Sequence, residues 1–142
     1  MIVYFDTSAF VPLLIDEAAT KACTELWYSA DTVLSTRLLY VEASSALARA
    51  RRAGRLSADA HADAIGLCDE LWRTMAVSEL DEPLMVRAGE FANEYGLRGY
   101  DSVHCAAAAM AGDQQLVAAS GDTRLLAAWR SLGLATVRTT AR

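Results

Sequence analysis

The chain begins with Met1–Ser8, MIVYFDTS, a short apolar run that ends on an acid. Residues 2–5 are apolar or aromatic throughout, which is typical of a strand covered on both faces within a parallel sheet. Asp6 follows at the carboxyl end of that strand, where α/β folds bind their ligands. Taken alone, Asp6 has two interpretations: it caps the next helix, or it belongs to a functional site.

Similar apolar runs alternate with stretches of helical period along the whole chain. The predicted strands are Ile2–Phe5, Thr32–Ser35, Met75–Ser78, Leu116–Ala119 and Ala135–Val137, and the predicted helices are 8–15, 17–29, 37–53, 57–73, 82–95, 101–111 and 123–131. This order predicts an α/β fold with a central, mostly parallel sheet of about five strands flanked by helices in three layers. Because no repeat or linker interrupts the pattern, residues 1–142 are predicted to form a single domain.

Composition narrows the class of protein. Apolar residues make up 54% of the chain and the net charge is -5, which indicates a globular protein and argues against broad, nonspecific nucleic-acid binding. The sequence leaves a local basic face open, because residues 37–55 carry five arginines and a single acid. Three widely spaced cysteines without a CxxC pair, no apolar run that could cross a bilayer and no signal peptide predict a cytoplasmic protein without membrane contact.

Three further acids stand where surface acids are not expected. Asp122 follows the strand of LVAASGD, so it should lie at the same sheet edge as Asp6, although it too can cap a helix. Glu42 lies within an apolar helical stripe, where a carboxylate needs a partner or must reach out to solvent. Asp101 opens the helix of YDSVHCAAAAM, where a helix cap by itself also explains it, and His104 shares its face three residues later.

A shared site explains all four acids together. Clustered carboxylates repel one another unless a cation neutralises them, and all-oxygen ligands select hard ions such as Mg²⁺ or Mn²⁺. Such an ion polarises a phosphodiester and lowers the pKa of an attacking water. The residues by themselves therefore favour a metal-dependent phosphodiesterase.

Four segments, in this order and spacing, resemble the PIN-domain nucleases. They are VYFDTSAFVPLL (3–14), LLYVEASSALARA (38–50), GLRGYDSVHCAAAA (96–109) and LVAASGDTRLL (116–126), and together they are most similar to VapC, the toxin of bacterial VapBC toxin–antitoxin pairs. The resemblance covers nearly the whole chain, and it implies a PIN-like three-layer sandwich.

The resemblance also implies an active site. The acidic quartet of the family falls on Asp6, Glu42, Asp101 and Asp122, with supporting roles for Thr7, Ser120 and His104. Asp6, Asp101 and Asp122 would bind Mg²⁺ or Mn²⁺, and Glu42 would act through water or orient the nucleophile. A further acid found in some relatives is absent, because Leu125 and Leu126 occupy that region, which leaves the presence of a second ion open.

The implied activity is that of an endoribonuclease toxin that cleaves structured RNA, tRNA or rRNA, and inhibits translation. The implied partners are a second copy of the chain and a VapB antitoxin, through which any DNA contact would pass. Candidates for steering RNA are Arg49, Arg51, Arg52 and Arg55, and candidates for an antitoxin groove are Leu14, Trp27, Tyr28 and Trp72. The alternatives are an RNA-processing nuclease outside a toxin–antitoxin pair and a catalytically silent PIN binding module.

Overall fold

A computed structural model describes residues 1–140 and contains a five-stranded parallel sheet. The strands are β1 (Ile2–Phe5), β2 (Thr32–Thr36), β3 (Ala76–Ser78), β4 (Val117–Ser120) and β5 (Ala135–Arg138). Every neighbouring pair is parallel, in the order β3-β2-β1-β4-β5. The predicted α/β fold is confirmed, and each predicted strand is present within one residue of its expected bounds.

Seven helices connect these strands. They are α1 (Thr7–Phe10), α2 (Thr20–Ser29), α3 (Leu38–Arg52), α4 (Ala58–Thr74), α5 (Glu82–Tyr95), α6 (Gly99–Met110) and α7 (Thr123–Ser131). The predicted helix 8–15 is instead a single turn followed by a 3-10 turn at Val11–Leu13, because Pro12 lacks the backbone N–H that a continuous helix requires. Within residues 1–140, no helix combines the length and apolarity needed to cross a membrane.

The helices cover both faces of the sheet. Val3 and Phe5 pack against the layer that contains α1–α4, whereas Tyr4 between them packs against the layer of α5–α7. This alternation follows from the two-residue period of a strand, and it explains why β1 is apolar throughout. The result is the predicted three-layer sandwich, with Val3, Tyr4 and Phe5 of β1 fully buried at its centre.

The order of the strands reverses beside β1. The chain moves from β1 to β2 and β3 on one side of the sheet, then returns to place β4 and β5 on the other side. Connections leave β1 and β4 in opposite directions, so a crevice opens beyond their carboxyl ends. Asp6 directly follows β1, and Asp122 lies two residues after β4.

Candidate active site

Asp6 is buried and has a partner for each carboxylate oxygen. Its Oδ1 accepts hydrogen bonds from the backbone N–H of Ala9 (3.0 Å) and from Ser8 Oγ (2.7 Å), while Oδ2 accepts from Ser120 Oγ (2.5 Å). Burial raises the pKa of Asp6, and the nearby His104 and these hydrogen bonds oppose that rise. Asp6 therefore caps α1 and also contacts the strand that leads to the next acid.

Ser120 connects Asp6 to Asp122. The Ser120 hydroxyl, which donates to Asp6, accepts from the backbone N–H of Asp122 at 2.9 Å. The Asp122 carboxylate caps α7 by accepting from Leu125 N at 2.9 Å. The loop is also tied to α1, because Ser8 Oγ accepts from Gly121 N at 2.8 Å. Two small hydroxyls thus fix the relative positions of the ends of β1 and β4.

Glu42, a carboxylate within an apolar helical stripe, is hydrogen-bonded to a chain of partly and fully buried side chains. Its Oε1 accepts from Thr7 Oγ1 at 2.7 Å and lies 2.6 Å from His104 Nε2. On the other side of the ring, His104 Nδ1 lies 2.7 Å from the Tyr4 hydroxyl. Burial raises the pKa of Tyr4 well above its usual value, so the hydroxyl keeps its proton beside Nδ1. Across the ring from Nδ1, the N–H at Nε2 donates to Glu42 Oε1.

Asp101 lies in the first turn of α6, between two open lobes of the crevice. One lobe, of about 520 Å³, is lined by Asp101, Asp122 and Arg124, among others, and we call it the acidic lobe. The other, of about 570 Å³, includes Glu42 and Tyr100, and we call it the aromatic lobe. Arg98 and Asp101 line both lobes, so the lobes meet at these two residues.

The pKa of Asp101 is raised, as expected for a carboxylate close to other carboxylates. Its pKa is raised first by burial and next by the negative charge of Asp122, while Arg98, whose Nε lies 3.6 Å from Asp101 Oδ2, lowers it. Glu42 adds a smaller repulsion, and His104 a partial compensation. A cation in the acidic lobe would relieve this repulsion.

The fit to a metal ion can be judged from the donors present. Within residues 1–140, no three histidine, cysteine, aspartate or glutamate side chains are arranged to share an ion, so the predicted trio of Asp6, Asp101 and Asp122 is not assembled as a ligand set. Asp101 and Asp122 do line the same lobe, whereas Asp6 lies beneath it. Mg²⁺ commonly binds one or two carboxylates and keeps several waters, so this pair fits a hard cation.

Of the residues predicted to steer RNA or to bind an antitoxin, only some line the crevice or a groove. Arg49 lines the aromatic lobe, but Arg51, Arg52 and Arg55 are exposed at the end of α3 and beyond it, outside the lining of both lobes. Of the four groove candidates, Leu14 is core, Trp27 packs against Phe5 and Phe10, and Tyr28 is exposed on α2. Trp72 lines an apolar groove of about 620 Å³ together with Tyr40, Val41 and Leu80.

Sequence reasoning missed several residues that the fold brings to this site. Arg98 and Arg124 line the acidic lobe, and Tyr4 holds His104, yet Arg124 and Tyr4 carry no local sequence signal of function. A weak signal for Arg98 was its place three residues before Asp101, at a helix start. Tyr4 was read only as an apolar strand residue, because the sequence does not show which side chain its hydroxyl meets.

Comparison with known proteins agrees with this geometry. A profile described as the PIN domain matches residues 3–128. The ribonucleases VapC45 and VapC49 of Mycobacterium tuberculosis are each 41% identical over 124 residues, which is 87% of this chain and 86% of theirs. The crystal structure of M. tuberculosis VapC20, a sarcin-ricin loop cleaving toxin, superposes with a TM-score of 0.71 at 23% identity, covering 96% of this chain and 98% of that one. This chain therefore belongs to the PIN-domain family and, within it, to the VapC ribonucleases.

Proposed function

We propose that the protein is a Mg²⁺- or Mn²⁺-dependent endoribonuclease, the toxin of a VapBC-type pair, which cleaves structured RNA and so inhibits translation. One observation carries the proposal: Asp101 and Asp122 line one lobe at the topological switch point, and Asp6 and Glu42 are anchored beside it. Membership of the VapC ribonucleases supports the class of reaction.

Each acid has a separate task in this proposal. Asp101 and Asp122 would hold the ion, and Asp6, held by Ser8 and Ser120, would add a third negative charge near it. When bound, the ion supplies Lewis-acid activation of the phosphodiester and lowers the pKa of water. The negative charge of Asp122, which contributes to the raised pKa of Asp101, also attracts a cation, and a dication beside Asp101 would stabilise its ionised form.

Glu42 would orient the attacking water. Its Oε1 is used by His104 and Thr7, so Oε2 is the oxygen left to face the aromatic lobe, which Glu42 helps to line. His104 and Thr7 are positioning residues here, because both contact Glu42 and His104 lines neither lobe. A carboxylate fixed on one oxygen holds the other in a defined direction, which is what alignment for an in-line attack requires.

The proposed partners follow from the same assignment. An antitoxin segment would bind in the apolar groove around Trp72. This groove is lined by exposed apolar surface and by charged residues. The substrate would be a tRNA or rRNA, and the toxin would act as a homodimer. DNA contact would be left to the antitoxin, consistent with the net charge of -5.

The test combines growth with mapping of RNA ends. Wild type, Asp101→Asn and the matched surface variant Asp63→Asn are induced separately, and RNA 5′ ends are mapped. We expect growth arrest and discrete new ends with wild type and Asp63→Asn, and neither with Asp101→Asn. Purified wild type should lose cleavage in EDTA and regain it with Mg²⁺ or Mn²⁺. Equal toxicity of all three proteins, without metal-dependent cleavage, would refute the proposal, and cleavage without growth arrest would favour an RNA-processing nuclease.

A further inference from the structure

We propose that the aromatic lobe is a subsite for an unpaired nucleobase of RNA, with Tyr100 as the surface on which that base stacks. The inference rests on the proposed ribonuclease function and assigns to this lobe a ligand class of its own. Its starting point is that Tyr100, the residue before Asp101, is 65% exposed although it stands at the crevice.

The walls of the lobe suit a flat, partly apolar ligand. Besides Tyr100, the lobe is lined by Leu38, Val41 and Ala46, and Val41 is itself 59% exposed. Exposed apolar surface beside a cluster of carboxylates costs free energy in water unless a ligand covers it. Aromatic side chains bind nucleobases by stacking, and each base so bound contributes enough to change affinity markedly.

The charges of the lobe suit a nucleotide rather than an uncharged ligand. Arg49 and Arg98 line it as well, and neither is buried. Because Arg98 also lines the acidic lobe, it can follow the RNA backbone from one lobe to the other. The base would then rest on Tyr100 while the adjacent phosphodiester lies beside Asp101. A volume of about 570 Å³ lies within the roughly 300–1,000 Å³ of small-ligand sites.

A stacking subsite of this kind favours unpaired over base-paired nucleotides. In a duplex a base is already stacked and paired, so moving it into a protein pocket breaks both interactions. A base that is already unpaired in a loop is moved at a smaller cost. Every base has a π-face, so stacking on Tyr100 tolerates any base. The aromatic lobe therefore selects unpaired nucleotides at the cleavage point and leaves sequence preference to other contacts.

Binding without turnover tests the inference. The probes are a 5′-fluorescein 12-nucleotide RNA of randomised sequence and a blunt 12-base-pair RNA duplex, titrated in EDTA and followed by anisotropy. The variants are Tyr100→Ala, Tyr100→Phe and the control Tyr28→Ala, which removes an 83% exposed ring from α2. We expect Tyr100→Ala to weaken single-strand binding by roughly 5- to 100-fold. Duplex affinity should change little, and Tyr100→Phe and Tyr28→Ala should match wild type.

Each other outcome has a definite meaning. Unchanged single-strand affinity in Tyr100→Ala, or a loss that Tyr100→Phe does not restore, overturns the stacking inference. Loss of affinity for an antitoxin peptide, with RNA affinity unchanged, assigns the lobe to protein binding and also overturns it. A parallel cleavage assay keeps the proposed function separate: if Asp101→Asn still cleaves RNA with Mg²⁺, the ribonuclease assignment itself is wrong.

Discussion

Nε2 of His104 lies 2.6 Å from Oε1 of Glu42, although the two residues are 62 positions apart in the chain. The contact joins the first third of α3 to the middle of α6, on opposite faces of the sheet. His104 is almost completely buried, and Tyr4 from β1 holds its other nitrogen. The direction of Glu42 in the crevice is therefore set by a side chain that does not itself line either lobe.

Replacing His104 should slow catalysis through Glu42. We expect His104→Ala to lower kcat for RNA cleavage by roughly 10- to 100-fold, the usual effect of losing a group that orients an active-site ligand. KM should change little, because His104 does not reach the RNA. His104→Gln should recover part of the rate, since its amide can donate to the carboxylate. Single-turnover and steady-state kinetics measure both parameters.

The control for His104 is the other histidine of the chain. His61→Ala on α4 changes the same residue type away from the crevice and should keep wild-type kcat. Thermal unfolding by circular dichroism separates a lost fold from a lost function. If His104→Gln is as slow as His104→Ala while both remain folded, the hydrogen bond to Glu42 is not what His104 contributes.

The stability of the metal-free protein should depend on pH through Asp101. The folded pKa of Asp101 is raised above its ordinary 3.8 by burial and by Asp122. At a pH between 3.8, the ordinary pKa, and the higher pKa of the folded state, Asp101 is protonated in the folded protein and ionised in the unfolded one. The free energy of unfolding therefore falls as pH rises through that range. Asp101→Asn removes this penalty. In EDTA the variant should be more stable than wild type at pH 7, and the difference should shrink toward pH 4.

Urea denaturation between pH 4 and pH 8 checks this expectation. Asp63→Asn on the exposed face of α4 removes the same charge outside the site, and its curve should run parallel to that of wild type. A variant Asp101→Asn that loses stability at pH 7 but not at pH 4 would show that the carboxylate is stabilised in the fold, contrary to this argument.

Metal binding should be detectable without any reaction. A ligand that binds only the folded state at 100 times its Kd adds about 2.7 kcal/mol to the free energy of unfolding. We expect Mn²⁺ to raise the unfolding temperature of wild type and Asp63→Asn, and to raise that of Asp101→Asn much less. An equal shift in all three proteins would place the ion elsewhere. Stabilisation by Zn²⁺ alone would contradict the preference for hard ions argued from oxygen ligands.

Local sequence signals were sufficient for most of the fold. The five apolar runs and the caps of the helices mark the elements, and Pro12 marks the one helix that breaks. The order β3-β2-β1-β4-β5 was not available from these signals, because it depends on which strands pair across long connections. The reversal of order beside β1, which opens the crevice, is therefore a finding of the structure.

For the site too, the sequence signalled some residues and not others. Glu42 was conspicuous because a carboxylate interrupts an apolar stripe, and the structure supplies the reason in His104 and Thr7. The contribution of Tyr4 was hidden, because its hydroxyl meets a ring 100 residues later. Arg51 and Arg52 were chosen from the same basic run as Arg49, but neither lines the aromatic lobe. Arg51, two residues after Arg49, projects from another side of α3, and Arg52 lies one turn further along the helix, at its end.

The arginines can be separated by the salt dependence of RNA binding. Each phosphate contact to a single strand contributes about 0.7 to the slope of log K against log salt. Arg49→Gln and Arg98→Gln should each weaken binding and reduce the slope by roughly 0.7 to 1. Arg52→Gln, an exposed arginine outside both lobes, should leave the slope unchanged. An equal effect of all three would indicate a diffuse basic face rather than a defined path along the crevice.

Gly121 should be intolerant of even a methyl group, because of space and not backbone angle. A Cβ added there would lie 2.9 Å from Cγ2 of the exposed Thr140, so either the Thr140 side chain or the loop that carries Asp122 must shift. We expect Gly121→Ala to lower the free energy of unfolding by roughly 1 kcal/mol and to reduce cleavage. Gly89→Ala is the matched control, since nothing lies within 4 Å of its added Cβ on α5, and it should stabilise the protein by up to about 1 kcal/mol. Urea denaturation of both variants measures the contrast, and a Gly121→Ala protein with the stability and kcat of wild type would show that Thr140 yields without moving Asp122.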